Sequence, residues 1–186
     1  MFKRLLLGCA LLATAMACVA PAHAQSAGDQ ESSEYLIKAG YLYNFAKLVE
    51  WPSSTYRSGG PLVVGILGND TFAGVVARVV EGKRIDNRPL QVKQVTAKNF
   101  KQCGCQMLFI AGDSTVPVED VIGFQKSGSV LTIAETPDFT RRGGIIALSL
   151  ENHKVRFMVN KDAAAQASLN ISSRLLTLAS VVHTAR

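Results

Sequence analysis

Apolar positions first recur at helical spacing between residues 33 and 50. Leu36, Ile37, Ala39, Tyr41, Leu42, Phe45, Ala46, Leu48 and Val49 form a wide stripe, with Lys38 and Lys47 outside it. That pattern predicts a long helix opened by Ser33. Pro52 ends it, because the residue before a proline is pushed out of the helical region. The next apolar run, Leu62 to Leu67 (LVVGIL), is continuous, as in a strand buried on both faces. Gly68-Asn69-Asp70 then leads into a helix over 71–81. Asp86-Asn87 marks a turn. From 90 to 95, Leu, Val and Val alternate with Gln, Lys and Gln, a strand with one polar face. Two further strands, 106–111 (QMLFIA) and 130–134 (VLTIA), flank a short helix at 118–126.

The last third changes texture. Runs at 145–150 and 155–159 are separated by Glu151-Asn152-His153-Lys154, which predicts a hairpin. Asn160 caps a helix to 167, and Asn170 or Ser172 opens a final one to about 183. Strands alternating with helices and then a hairpin give an α/β class. The expectation is a single domain, residues 34–186, with a mixed, mostly parallel sheet, an antiparallel hairpin and flanking helices. Residues 25–33 are polar and read as a flexible lead.

The first 24 residues change the compartment. Lys3-Arg4, an uncharged run from Leu5 to Val19 and Ala22-His23-Ala24 have the layout of a cleaved secretory signal. An apolar run of about 15 residues is short for a bilayer core, which needs roughly 20. Cleavage leaves a chain of about 160 residues, long enough for one core without disulfide support. The 20 Lys and Arg then fall by two against an unchanged 14 acids, so the net charge is +4. No block of like charge accompanies it, so nucleic acid is discounted as a partner. The expected location is the periplasm.

Candidate chemistry is sparse. His153 and His183 are the histidines left after cleavage, and neither has a second ligand at metal spacing. No nucleophile elbow or P-loop appears. The expectation is a protein that is not an enzyme and carries no metal or cofactor. Arg141-Arg142-Gly143-Gly144 reads either as a solvated turn or as a clamp for an anion, with Arg174 as a third guanidinium. Trp51, at the end of the first helix, reads as a loop anchor before a binding platform. The aromatic series Tyr35, Tyr41, Tyr43 and Phe45 carries more polar edge than a simple core face, which fits a partner surface. Cys103-Gly104-Cys105 leaves three readings open: a strained bridge suited to redox sensing, free thiols, or bridges between subunits.

Five segments, in order, resemble the YfiR-like periplasmic family (DUF4154). They are Lys38 to Pro52 (KAGYLYNFAKLVEWP), Leu62 to Gly68, Cys105 to Ile110 (CQMLFI), Phe139 to Ile146 (FTRRGGII) and Ile171 to Leu176 (ISSRLL). The resemblance implies a periplasmic repressor that binds the periplasmic domain of a membrane-bound diguanylate cyclase. Binding holds the cyclase inactive, so cyclic-di-GMP and biofilm formation stay low. It also implies an OmpA-type outer-membrane lipoprotein that sequesters the repressor, a homodimer, and control linked to cysteine redox state. The distant cysteine partners found in some members are absent here, which confines any redox input to Cys103 and Cys105. The partner-binding residues expected on this reading are Tyr41, Tyr43, Trp51, Arg141 and Arg142. The alternative is a small-molecule sensor, with an anion near Arg141, Arg142 and Arg174, acting on another signalling protein such as a histidine kinase.

Overall fold

The computed structural model describes residues 25–56, 60–136 and 138–183. The secretory-signal reading of residues 1–24 therefore lies outside the described residues. Helix α1 spans Gln25–Leu48. It begins at Gln25 rather than about Ser33, so the polar lead is helical. It also stops short of residue 50, because Val49–Glu50 (β1) extends to pair antiparallel with Asn170–Ile171 (β9).

The main sheet is built from Leu62–Leu67 (β2), Arg84–Ile85 (β3), Arg88–Val95 (β4), Met107–Ile110 (β5), Leu131–Ala134 (β6), Ile146–Glu151 (β7), Lys154–Asn160 (β8) and Val181–His183 (β10). Its order is β10-β8-β7-β6-β5-β2-β4-β3. The pairs β4–β2, β2–β5, β5–β6 and β6–β7 are parallel, whereas β7–β8 and β3–β4 are antiparallel hairpins. The expected mixed, mostly parallel α/β sheet with a hairpin is what forms. Asp86-Asn87 and Asn152-His153 take positive φ at the two hairpin tips, the left-handed conformation that tight two-residue turns need.

One expectation is corrected at the C-terminal side. The last helix, Ser173–Leu178 (α5), is capped by Ser172, whose Oγ accepts from the Leu175 N–H. It ends at Leu178 instead of continuing to about 183. Ala179 is extended, the Ser180 N–H donates to the Phe157 carbonyl at 2.8 Å, and β10 then pairs parallel with β8. Covering the outer edge of β8 satisfies backbone groups that a longer helix would leave unpaired.

Alternation along the strands splits the core in two. Leu62, Val64, Ile66, Met107, Phe109, Ile133 and Phe157 face α1, Asp70–Val80 (α2), Lys161–Gln166 (α4) and α5. Val63, Leu67, Leu108, Ile110 and Ala147 face Val118–Gly128 (α3) and Phe100. Both faces are covered, which is why β2, β5 and β6 are buried along their whole length. The connection from β4 to β5 carries only a short 3-10 turn, Phe100–Gln102. A helix is missing there, and the polar face of β4 (Gln91, Lys93) lies exposed.

Candidate functional site

Counted alone, the parallel strands run β4-β2-β5-β6-β7, an order whose direction of winding switches between β2 and β5. Doubly wound sheets bind ligands outside the strand ends at that point. Here side chains of α1 occupy it. Lys38 is buried, with only 6% of its surface exposed, and not outside the apolar stripe. Its Nζ donates to Glu135 Oε1 at 2.5 Å, just beyond β6, and it also pairs with Glu34 one turn earlier. The second Glu135 oxygen accepts from the Gly112 N–H at 2.8 Å, beyond β5. Burial pulls the Lys38 ammonium pKa down, but the hydrogen bonds to Glu135 and then Glu34 outweigh it and hold the pKa above its ordinary value. Beside it the Tyr35 hydroxyl accepts from Asn69 Nδ2 at 2.6 Å, while Asn69 Oδ1 caps α2. Sequence reading misses Lys38 because a lysine between apolar neighbours looks like a solvated position. Its partner, Glu135, lies far along the chain.

The aromatic residues of α1 mostly serve packing. Tyr41 is half-buried, its ring against Phe45 and edge-on to Phe157 of β8 at 5.4 Å. Tyr43 is half-buried between the ammonium groups of Lys47 and Lys83, 5.6 and 5.3 Å from its centroid. Trp51 anchors its loop: Nε1 donates to the Gln106 carbonyl at 3.1 Å, and the ring meets Tyr56 edge-on. Burial raises the Tyr56 pKa, opposed by Arg88, whose guanidinium lies 4.2 Å from the ring centroid.

The arginine loop packs on the opposite face. Gly144 is buried because the Phe139 ring lies over it, and any Cβ there would come within 2.4 Å of three ring carbons. Gln125 of α3 donates to the Gly143 carbonyl. Arg142 and Glu119, also of α3, form an exposed ion pair at 2.7 Å, and their hydrogen bond lowers the Glu119 pKa and raises that of Arg142. Arg141 is exposed beside it. Arg174 is exposed in the first turn of α5, which packs with α1 on the other side of the sheet. The structure therefore keeps Arg141 and Arg142 adjacent and places Arg174 on an element of the opposite face.

Cys103 and Cys105 are bonded to each other, with their Cα atoms 5.2 Å apart, and both are buried. The bridge lies against the middle of β2. A Cβ on Gly65 would meet Cys105 Sγ at 2.7 Å, so the glycine inside an otherwise apolar strand makes room for sulfur. The bridge also walls a cavity of about 610 Å³ open to solvent, bounded by Gln91, Lys93, Lys101 and Phe124. Among the described residues, no cluster of three or more His, Cys, Asp or Glu is placed to hold a metal, and no helix is long and apolar enough to cross a membrane.

Comparison with known proteins adds a family match. A family model described as YfiR/HmsC-like (DUF4154) matches residues 35–180. No curated protein matches the chain. Among solved structures, a conserved domain protein from Vibrio cholerae O1 biovar El Tor superposes with a TM-score of 0.51 and 12% identity, over 66% of this chain and 55% of that one. The likeness is one of fold. An ABC domain in complex with L-Trp from Streptococcus pneumoniae gives a TM-score of 0.46 and 9% identity, over 65% and 55%. The chain thus spans about half the length of these solved proteins.

Proposed function

The chain belongs to the YfiR/HmsC-like family (DUF4154), and from that premise we propose that it is a periplasmic negative regulator of a membrane-bound diguanylate cyclase. It binds the cyclase's periplasmic domain and holds the enzyme inactive, which lowers cyclic-di-GMP and biofilm formation. It acts by binding, without catalysis. A homodimer and an OmpA-type outer-membrane lipoprotein complete the set of partners on this reading. Family membership over residues 35–180 is the observation that carries it.

Repression of this kind is a difference in affinity: the regulator binds the inactive cyclase more tightly than the active one. A hundredfold change in the cyclase's conformational ratio requires about 2.7 kcal/mol of that difference. The Cys103–Cys105 bridge provides a place for a redox input, because its reduction frees two sulfurs packed beside β2.

Calorimetric titration of the purified protein with the periplasmic domain of its cognate membrane-bound diguanylate cyclase tests the reading. Saturable binding that weakens under reductant is the expected result. Binding indifferent to reductant keeps the regulator and removes the redox input. An absence of binding with the bridge intact overturns the regulator reading.

A further inference from the structure

A solvent-open cavity lies beside the disulfide, away from the end of the sheet where this topology ordinarily binds. At the switch point the ends of β5 and β6 are tied to α1 through Lys38 and Glu135, and the end of β2 through Tyr35 and Asn69. The cavity instead lies against the α3 face, bounded by Val63 of β2, by Gln91 and Lys93 of β4, and by Gln106 and Val130, which precede β5 and β6. Its origin is topological. The crossover from β4 to β5 supplies a single 3-10 turn where a helix would lie, so the sheet between β4 and α3 is left partly uncovered.

The lining fixes the ligand chemistry. Two lysines, Lys93 and Lys101, border the cavity, and its lining among the described residues contains no carboxylate. Lys101 is engaged by Asp120 at 2.8 Å. Lys93 Nζ donates to the Cys103 carbonyl at 3.2 Å, and an ammonium has three protons to donate. Phe124, Val63 and the disulfide supply apolar lining to a cavity that also carries the amides of Gln91 and Gln102. An inorganic anion would leave that apolar lining unused, and a hydrocarbon would leave the lysine and amides unanswered. We propose that this cavity binds a small organic acid, with its carboxylate on Lys93 and its apolar body between Phe124 and the Cys103–Cys105 bridge. The site is independent of the arginine loop and of any protein partner, so it stands or falls apart from the regulator reading.

The test uses the purified, oxidised protein and two probes of equal shape, 2-naphthoate and the neutral 2-naphthylmethanol, followed by amide chemical shifts. Naphthoate should give saturable shifts at Gln91, Gly104 and Gln106. The neutral alcohol should bind at least about tenfold more weakly, the ratio expected for loss of one charge-assisted hydrogen bond. Lys93→Gln, at an exposed strand position, should weaken naphthoate by a similar factor at unchanged melting temperature, and Gln91→Trp should block both probes. Absence of saturable shifts, shifts confined to another surface, or equal affinity for acid and alcohol on the wild-type protein would each overturn the proposal. The wild-type comparison holds even if a variant folds poorly.

Discussion

At the scale of single residues, Lys38 bears the most structural consequence. Its ammonium joins α1 to the ends of β5 and β6 through Glu135, and it does so with 6% of its surface exposed. Removing one member of such a pair leaves carboxylates without a counter-charge, which costs more than the pair itself contributes. Lys38→Met should lower stability by about 3 kcal/mol, read by denaturant unfolding at neutral pH. The pH dependence has a definite sign. Because the folded-state pKa of Lys38 is raised, its contribution is complete below the ordinary value of 10.5 and is lost as pH climbs through the folded value. Tyr35 and Tyr56 also have raised pKa values, so ionising tyrosines in the unfolded chain lowers stability over the same alkaline range. The wild-type curve should therefore fall more steeply above about pH 10.5 than the Lys38→Met curve. Parallel curves would show that Lys38 is not held as an ion pair.

At the scale of elements, the close fit between β2 and the disulfide makes a pairwise prediction. Gly65→Ala puts a methyl group 2.7 Å from Cys105 Sγ and 3.2 Å from Leu108 Cδ1. Overpacking of that kind should cost about 2 kcal/mol. In a Cys103→Ala, Cys105→Ala background the sulfur is gone, and what remains is the flexible leucine and the Cβ of residue 105 at an ordinary 3.6 Å, so the same substitution should cost less than about 0.5 kcal/mol. Thermal unfolding of the four proteins measures the coupling, and additive effects would deny the contact. Much of this architecture was legible in local pattern. LVVGIL, QMLFIA and VLTIA read as buried strands, the 145–159 hairpin showed in its turn, and Asn160 capped its helix as expected. What stayed hidden depends on contacts distant in sequence. The short strands β1 and β10 exist because Asn170–Ile171 and β8 offer edges to pair with, and no periodicity encodes that. Lys38 needs Glu135, and Gly65 needs Cys105. The cavity follows from a helix that the β4–β5 crossover lacks, and one short turn in the sequence does not announce what it leaves uncovered.

At the scale of the whole molecule, the two faces of the sheet divide the expected partner-binding residues. Tyr41 and Tyr43 belong to the α1 side, whereas Arg141 and Arg142 lie with α3 on the other. The two groups should therefore respond differently to substitution. Tyr41 packs on Phe45 and Phe157, so Tyr41→Ala should remove about 2 kcal/mol of stability, and any loss of partner binding should track the unfolded fraction. Arg142 is exposed and its ion-pair partner Glu119 is exposed too, an arrangement that adds little to stability. Arg142→Ala should therefore leave the melting temperature unchanged. If the arginine loop is part of the docking surface, the same variant should weaken binding of the cyclase domain about tenfold, the order expected for losing one charged contact at an interface. Paired measurement of melting temperature and calorimetric affinity separates these cases. Full affinity for Arg142→Ala, with the fold intact, would remove the arginine loop from the interface and turn attention to the exposed Leu36, Ile37 and Leu150. Together with Leu178 of α5, those three are, among the described residues, the exposed large apolar side chains on the α1 side for a partner to cover.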